Sequence, residues 1–291
     1  MKIKILLLTI LVLTLNLFAQ NEAASAAAAN ASSPGPEFVY AGVRSNGGGL
    51  AGFRLDRAVG KLVEVPGSPI ILNSTNTSGA LVTAQGFVYI ENVPSPAVGR
   101  IFQYKANVNT GSVALVHAID FGIVDGNETI RDLIASPNGN NLYGVFQSDL
   151  VSFALNHGTP SLLGTITVAQ QQGAIWGFAR NPVAPFAYAA IQSGNPNQGF
   201  QPPAIELLNV AGNGNLTDAG TAVAQLPNAF ANGFQSLVVD PSGHFLVVLN
   251  GASDEELSVF AINSDGSLAE VPGSPFATGS SFGFALSFDP T

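Results

Sequence analysis

An all-β fold built from repeated four-stranded units is predicted by three observations. The 291-residue chain is 46% hydrophobic and only 10% charged, with 32 Gly and 18 Pro. That composition suits many short strands joined by tight turns rather than long solvated helices. Apolar, often β-branched runs bounded by Gly, Pro, Asn and Asp recur along the chain, which is the signature of strands. One stretch, residues 235–276, then contains four such runs in succession, and partial copies of it precede it. A lone four-stranded antiparallel sheet cannot bury both faces, so the unit must stack on copies of itself.

In that stretch the predicted strands are 237–240, 245–249, 257–262 and 268–271. Asp240-Pro-Ser-Gly243 turns the first into the second, and Asn263-Ser-Asp-Gly266 closes the last hairpin. Asp-Gly supplies the positive φ that a two-residue hairpin needs. From the N-terminus, residues 1–18 read as an address: Lys2 and Lys4, an apolar run over 5–18, then small residues at Ala19 and 23–29. This is the order of a secretory signal peptide, and the run is short for a membrane span. Cleavage after Ala19 or near Ala26 fits equally. The expected division is a signal peptide over 1–26, a flexible linker over 27–37 rich in Ala, Ser and Pro, and one domain over 38–291. Export to the periplasm or beyond is the expected location, with no membrane span after cleavage.

The first unit supplies 38–41, 51–55 and 62–65, matching the second, third and fourth strands, and Val65-Pro-Gly-Ser-Pro69 repeats Val271-Pro-Gly-Ser-Pro275. The second unit supplies 80–83, 87–90, 101–104 and 113–117. The third runs 133–135, 142–146, 151–154 and 162–168, and the fourth 177–179, 186–191, 205–209 and 216–223. After the fifth, only 284–288 follows: a first strand with nothing behind it. The first unit lacks that strand, so pairing 284–288 with 38–41 would close a ring. The turn prolines Pro137, Pro182, Pro241 and Pro290 are 45, 59 and 49 residues apart, a blade-sized period. The expectation is a complete β-propeller of about five four-stranded antiparallel blades, closed by the C-terminal strand.

The formal net charge is −9, from 10 basic and 19 acidic residues. An acidic body with scattered basic residues excludes nucleic acid as an expected partner. Without cysteine, an exported chain has no disulfide and must be stable through its core.

The phrase D-P-S-G-H-F-L-V-V-L-N, followed by L-S-V-F-A-I-N-S-D-G-S-L-A-E-V-P-G-S-P-F, resembles the propeller lactonase family. That family contains the bacterial 6-phosphogluconolactonases and the muconate cycloisomerase-like propellers. YVTN-type surface propellers carry similar turns. The resemblance spans 38–291 and is strongest in the last unit and in 60–69. It implies a seven-bladed ring, where this chain has room for about five. It also implies Arg-His or His pairs just ahead of first strands, facing a central channel. The matching positions here are Arg131-Asp132, Trp176-Gly177, Gln235-Ser236 and Phe284-Ala285. Only Arg131 keeps the basic side chain, and Asp132 stands where a histidine is expected.

Those positions are the candidate site. A guanidinium at Arg131 suits a carboxylate, a phosphate or a developing oxyanion, and Asp132 suits a general base for water attacking a lactone carbonyl. Against this stands a structural ion pair at the blade's lip. Trp176, Gln235, Ser236 and Phe284 would line the same pocket, with Trp176 stacking on a sugar face or serving as apolar filler. No cofactor or metal is expected. His117, His157 and His244 fall at a strand end, a turn and a corner, positions that do not converge. Gly47–Gly52 matches G-x-G-x-x-G but joins strands, and 279–283 matches G-x-S-x-G but leads into a strand; both are set aside. The acidic loops 125–128 and 254–256 offer ligands for Ca²⁺ but lack the spacing of a known Ca²⁺ loop and read rather as solvated turns, and Asn73 and Asn215 begin glycosylation sequons by pattern. The leading expectation is a lactonase-like carboxylic ester hydrolase that opens a sugar lactone or related cyclic ester in the axial pocket, with a small-molecule lactone or carbohydrate as the expected partner. The alternative is a non-catalytic scaffold that holds a protein or glycan partner through the blade-four insertion 192–203.

Overall fold

The computed structural model describes residues 36–43, 47–74, 81–92, 100–120, 132–146, 149–168, 174–192, 204–225, 234–250, 256–279 and 286–288. The expected signal peptide, residues 27–35 of the expected linker, the loops 125–128 and 193–203, and Arg131 and Phe284 lie outside them; Glu37, expected in the linker, already belongs to the first strand.

Five antiparallel sheets follow one another along the chain. The first holds β1 (Glu37–Val43), β2 (Gly47–Asp56), β3 (Lys61–Glu64) and β4 (Ile70–Ser74). The second holds β5 (Leu81–Ala84), β6 (Phe87–Asn92), β7 (Arg100–Ala106) and β8 (Val113–Asp120). The third holds β9 (Asp132–Ala135), β10 (Asn141–Val145), β11 (Asp149–Asn156) and β12 (Thr159–Thr167). The fourth holds β13 (Ala174–Arg180), β14 (Phe186–Gln192), β15 (Ala204–Val210) and β16 (Leu216–Gln225). The fifth holds β17 (Phe234–Val239), β18 (Phe245–Asn250), β19 (Glu256–Ile262), β20 (Leu268–Glu270) and β21 (Phe276–Ala277). Strands pair in sequence order within each sheet, as in the blades of a propeller, except that β4 pairs with β2 and β21 with β19; no helix occurs among the described residues.

The turns show why the chain folds back where it does. Asp240 Oδ1 accepts the N–H groups of His244 and Phe245 at 2.8 and 2.7 Å, and Gly243, at φ +74°, donates to the Asp240 carbonyl at 2.9 Å. In the fourth blade Asn181 Oδ1 performs the same service for Val183 and Ala184, both at 2.9 Å. A carboxylate or amide that satisfies its own turn frees the flanking apolar residues to run as strands. The second strands β10 and β14 are thereby sandwiched and buried along their lengths, while the fourth strand β8 is largely exposed.

Blades pack face to face through four hydrophobic clusters. Leu50, Leu72, Ile90 and Tyr104 join the first and second blades; Val82, Leu133, Phe146 and Phe153 join the second and third. Tyr143, Val145, Ile175 and Leu208 join the third and fourth, and Tyr188, Ile205, Leu237 and Val248 the fourth and fifth. One polar contact recurs at every junction. Tyr40, Tyr89, Tyr143 and Tyr188 occupy the same place in β1, β6, β10 and β14, and each donates its hydroxyl to a glycine carbonyl of the next blade's outer hairpin. The acceptors are Gly111 at 2.8 Å, Gly158, Gly214 at 3.1 Å and Gly266 at 2.9 Å. All four glycines have positive φ, and Phe38, Phe87, Asn141 and Leu207 crowd the sites where their Cβ atoms would lie. The fifth blade has Val247 in the tyrosine's place, and the first blade's hairpin glycine, Gly60, has nothing within 4 Å of a built Cβ.

The repeated Pro-Gly-Ser-Pro phrase has a defined job. Val65 and Val271 donate to the carbonyls of Gly52 and Val259, both at 3.0 Å, and Ser68 and Ser274 Oγ accept the N–H groups of the same two residues, at 2.9 and 3.0 Å. The fourth strand is thus interrupted and resumes as β4 in the first blade and β21 in the fifth.

The expected closing pair between 284–288 and 38–41 is not among the strand pairs. Leu286–Phe288 forms no ladder, and the Leu286 N–H reaches Ser236 Oγ at 3.3 Å. That contact places the segment beside the fifth blade's first strand; a ladder to β1 is not seen among the described residues.

Candidate functional site

First strands of consecutive blades lie side by side, β5 against β9 and β13 against β17. The approach is close enough that a Cβ at Gly177 would overlap the Leu237 side chain. The registers align the candidate residues: Asp132 opposes Val145, Gly177 opposes Ala190 and Ser236 opposes Leu249, equivalent rungs of three successive blades. Trp176 and Gln235 are each the extra residue of a β-bulge, between Ile175 and Gly177 and between Phe234 and Ser236. Bulges re-aim a side chain out of the ladder, and Trp176 is 38% exposed although its neighbour Ile175 is fully buried. The equivalence of positions expected from the sequence therefore holds in the backbone, for Asp132, Trp176, Gln235 and Ser236 alike.

Asp132 opens β9 and is half-buried. Its carboxylate accepts the Leu133 N–H at 2.8 Å, yet loss of hydration outweighs that bond and pushes its pKa up to about 6. It shares a sheet face with Val145, so it points toward the fourth blade. Ser236 is buried, with its hydroxyl engaged by Leu286.

The histidines do not converge. His117 is exposed on β8, His157 occupies a positive-φ turn (φ +51°), and His244 is exposed at the corner after Gly243, within 2.8 Å of Ser242 Oγ. Gly47 to Gly52 lie within β2 and open no helix. The acidic residue that the sequence reading passed over is Glu206, central in β15. It is 2% exposed, and burial first, then the charge of Asp218, push its carboxyl up to about 7. An acidic residue inside the apolar run A-I-E-L-L was the signal available.

No family model and no curated protein sequence matches this chain. Among solved structures it is similar to Kluyveromyces lactis Hsv2, at 10% identity over 81% of this chain and 69% of that one, with a TM-score of 0.54. The likeness to Hsv2 is one of fold. It is also similar to a Bacteroides uniformis protein assigned as a 6-phosphogluconolactonase, at 17% identity over 84% of each chain and a TM-score of 0.49. A Pseudomonas aeruginosa periplasmic gluconolactonase follows at 17% identity, 81% and 82% coverage and a TM-score of 0.44.

Proposed function

We propose that the chain is an exported, lactonase-like propeller that hydrolyses a sugar lactone or related cyclic ester at the end of its inner strands. The observation that carries this reading is the desolvated carboxylate of Asp132, with its pKa raised to about 6, at the head of a first strand. A carboxylate poised near neutral pH is suited to general-base work. In this reading Asp132 takes a proton from water as its oxygen attacks the lactone carbonyl. Arg131 holds the oxyanion or the substrate's own anion, the ring C–O bond breaks, and the proton on Asp132 passes to the leaving alkoxide. The product is an open hydroxy acid. Trp176, Gln235, Ser236 and Phe284 would position the ring, with Trp176 offering an exposed aromatic face of the kind sugars stack on.

The test is acid release from a panel of sugar lactones by the mature protein, Arg131→Ala and Asp132→Asn, above the spontaneous rate. Loss of a general base lowers the rate ~10²–10⁴-fold, so Asp132→Asn is expected near background. Equal rates for all three proteins would overturn the hydrolase reading and leave the binding scaffold.

A further inference from the structure

In the second to fifth blades the third strand carries, one rung above its start, a residue facing the preceding blade. These residues are Phe102, Val151, Glu206 and Ser258, opposed in register by Ile90, Gly144, Ala189 and Val248. The position is apolar in the second and third blades, and in the fifth the Ser258 hydroxyl is satisfied by Asn250 Nδ2 at 2.8 Å. Glu206 alone brings a carboxylate. It is 2% exposed, and neither of its oxygens has a hydrogen-bond partner. A buried carboxylate in that state is costly unless a counter-charge or a ligand takes up its lone pairs.

The strand beside it is deformed at the same place. Glu206 opposes Ala222 and Leu208 opposes Asp218, so Leu207 alone faces the three residues 219–221, and the register slips again between Ile205 and Glu206. A bulge of this size takes backbone carbonyls out of the ladder. Glu206, Leu208 and Asp218 share one sheet face by register, so the two carboxylates flank the bulge diagonally. Asp218 is near enough for its charge to act on Glu206. Two carboxylates of like charge, one of them buried with both oxygens unsatisfied, beside a bulged run of backbone, form an oxygen-only cradle. No Cys exists in the chain, and the three His lie on the second, third and fifth blades.

We propose that Glu206 and Asp218, with carbonyl oxygens of the bulge at 220–221, bind one Ca²⁺ ion at the junction of the third and fourth blades. Hard oxygen ligands without nitrogen or sulfur select Ca²⁺ or Mg²⁺ over transition metals. Ca²⁺ accepts the irregular, higher coordination that carboxylates plus bulge carbonyls supply, whereas Mg²⁺ demands near-octahedral geometry and keeps its waters. The ion would neutralise the buried charge and tie the outermost strand of the fourth blade to its neighbour. Its role is structural and independent of whether the protein is a hydrolase.

The test uses the full mature chain, stripped with chelator and then titrated with CaCl₂ at pH 7.5, followed by calorimetry and by thermal unfolding. Saturable binding of about one equivalent, with a rise in Tm in 1 mM Ca²⁺ over chelator, is expected; Mg²⁺ at the same concentration should give less. Glu206→Gln should abolish both signals. Asp218→Asn, on an exposed position that does not endanger folding, should weaken binding at least tenfold. Identical Tm in Ca²⁺ and chelator for the wild type would overturn the proposal. So would binding that survives unchanged in Asp218→Asn and Glu206→Gln, which would place the ion in another acidic loop.

Discussion

The glycine at each outer hairpin is required for two separable reasons, and one pair of substitutions measures them apart. Gly158 and Gly60 end the same kind of hairpin with φ of +85° and +64°. A left-handed alanine costs ~1–2 kcal/mol, and the stiffer unfolded chain returns ~0.4–1 kcal/mol. Nothing lies within 4 Å of a Cβ built at Gly60, so Gly60→Ala should cost only about 1 kcal/mol. At Gly158 the same Cβ would overlap the Phe87 ring, which is held from its other side by Lys105 at 4.1 Å from the ring centroid. Overpacking adds ~1–3 kcal/mol. The Gly158 carbonyl also accepts from both Tyr89 and Gln103, and displacing it jeopardises bonds worth ~1 kcal/mol each. The total for Gly158→Ala is about 4 kcal/mol, or a Tm lowered by roughly 8–16 °C for a domain of this size, against roughly 2–4 °C for Gly60→Ala. Thermal and urea unfolding followed by circular dichroism provide the comparison. Equal losses for the two variants would refute the claim that an interblade contact, rather than backbone conformation, makes Gly158 obligatory.

Further outcomes follow from the same geometry. Tyr143→Phe leaves the Gly214 carbonyl without its hydroxyl partner in a buried setting and should cost ~1–3 kcal/mol, whereas exposed Arg100→Ala, which breaks only the pair with Asp120, should move Tm by no more than a degree or two. Ser68→Ala and Ser274→Ala each strand a strand N–H and should each cost about 1 kcal/mol in urea unfolding. For Asp132 the folded pKa stands above the unfolded one, so the folded state holds its proton longer. Its stabilising contribution is complete below pH 3.8 and declines as pH rises toward about 6, and Asp132→Asn should flatten that part of a stability–pH curve. If lactone opening occurs, its rate should rise with pH through about 6 as the base form appears; a rate falling over that range would exclude Asp132 as the base.

Much of the fold was legible because its punctuation is local. Asp240, Asn181 and the hairpin glycines each satisfy or permit a turn within a few residues of themselves, so the strands between them could be bounded from the chain alone. The resumed fourth strands β4 and β21 were not, because Pro69 and Pro275 read as strand terminators while the ladder is carried across them by Ser68 and Ser274. Closure was inferred from counting strands, and counting does not say what a strand pairs with; among the described residues Leu286 reaches Ser236 and no ladder to β1 is seen. At the site, the positions of Asp132, Trp176 and Gln235 followed from turn spacing, because the bulges recur at one rung. Glu206 carried a local signal in its apolar run, but the two register slips beside it in β16 are marked by no local pattern.

The tyrosine-to-glycine bonds all point one way, from each blade to the next, and the last one ends on Gly266. A chain of like couplings whose two ends lack this bond behaves as a short one-dimensional lattice, in which a unit inside melts only with its neighbours while a unit at the end can fray alone. The second, third and fourth blades should therefore exchange their amide hydrogens most slowly. The first and fifth are the early losses, where a protease would enter and where homologous blades would be easiest to graft.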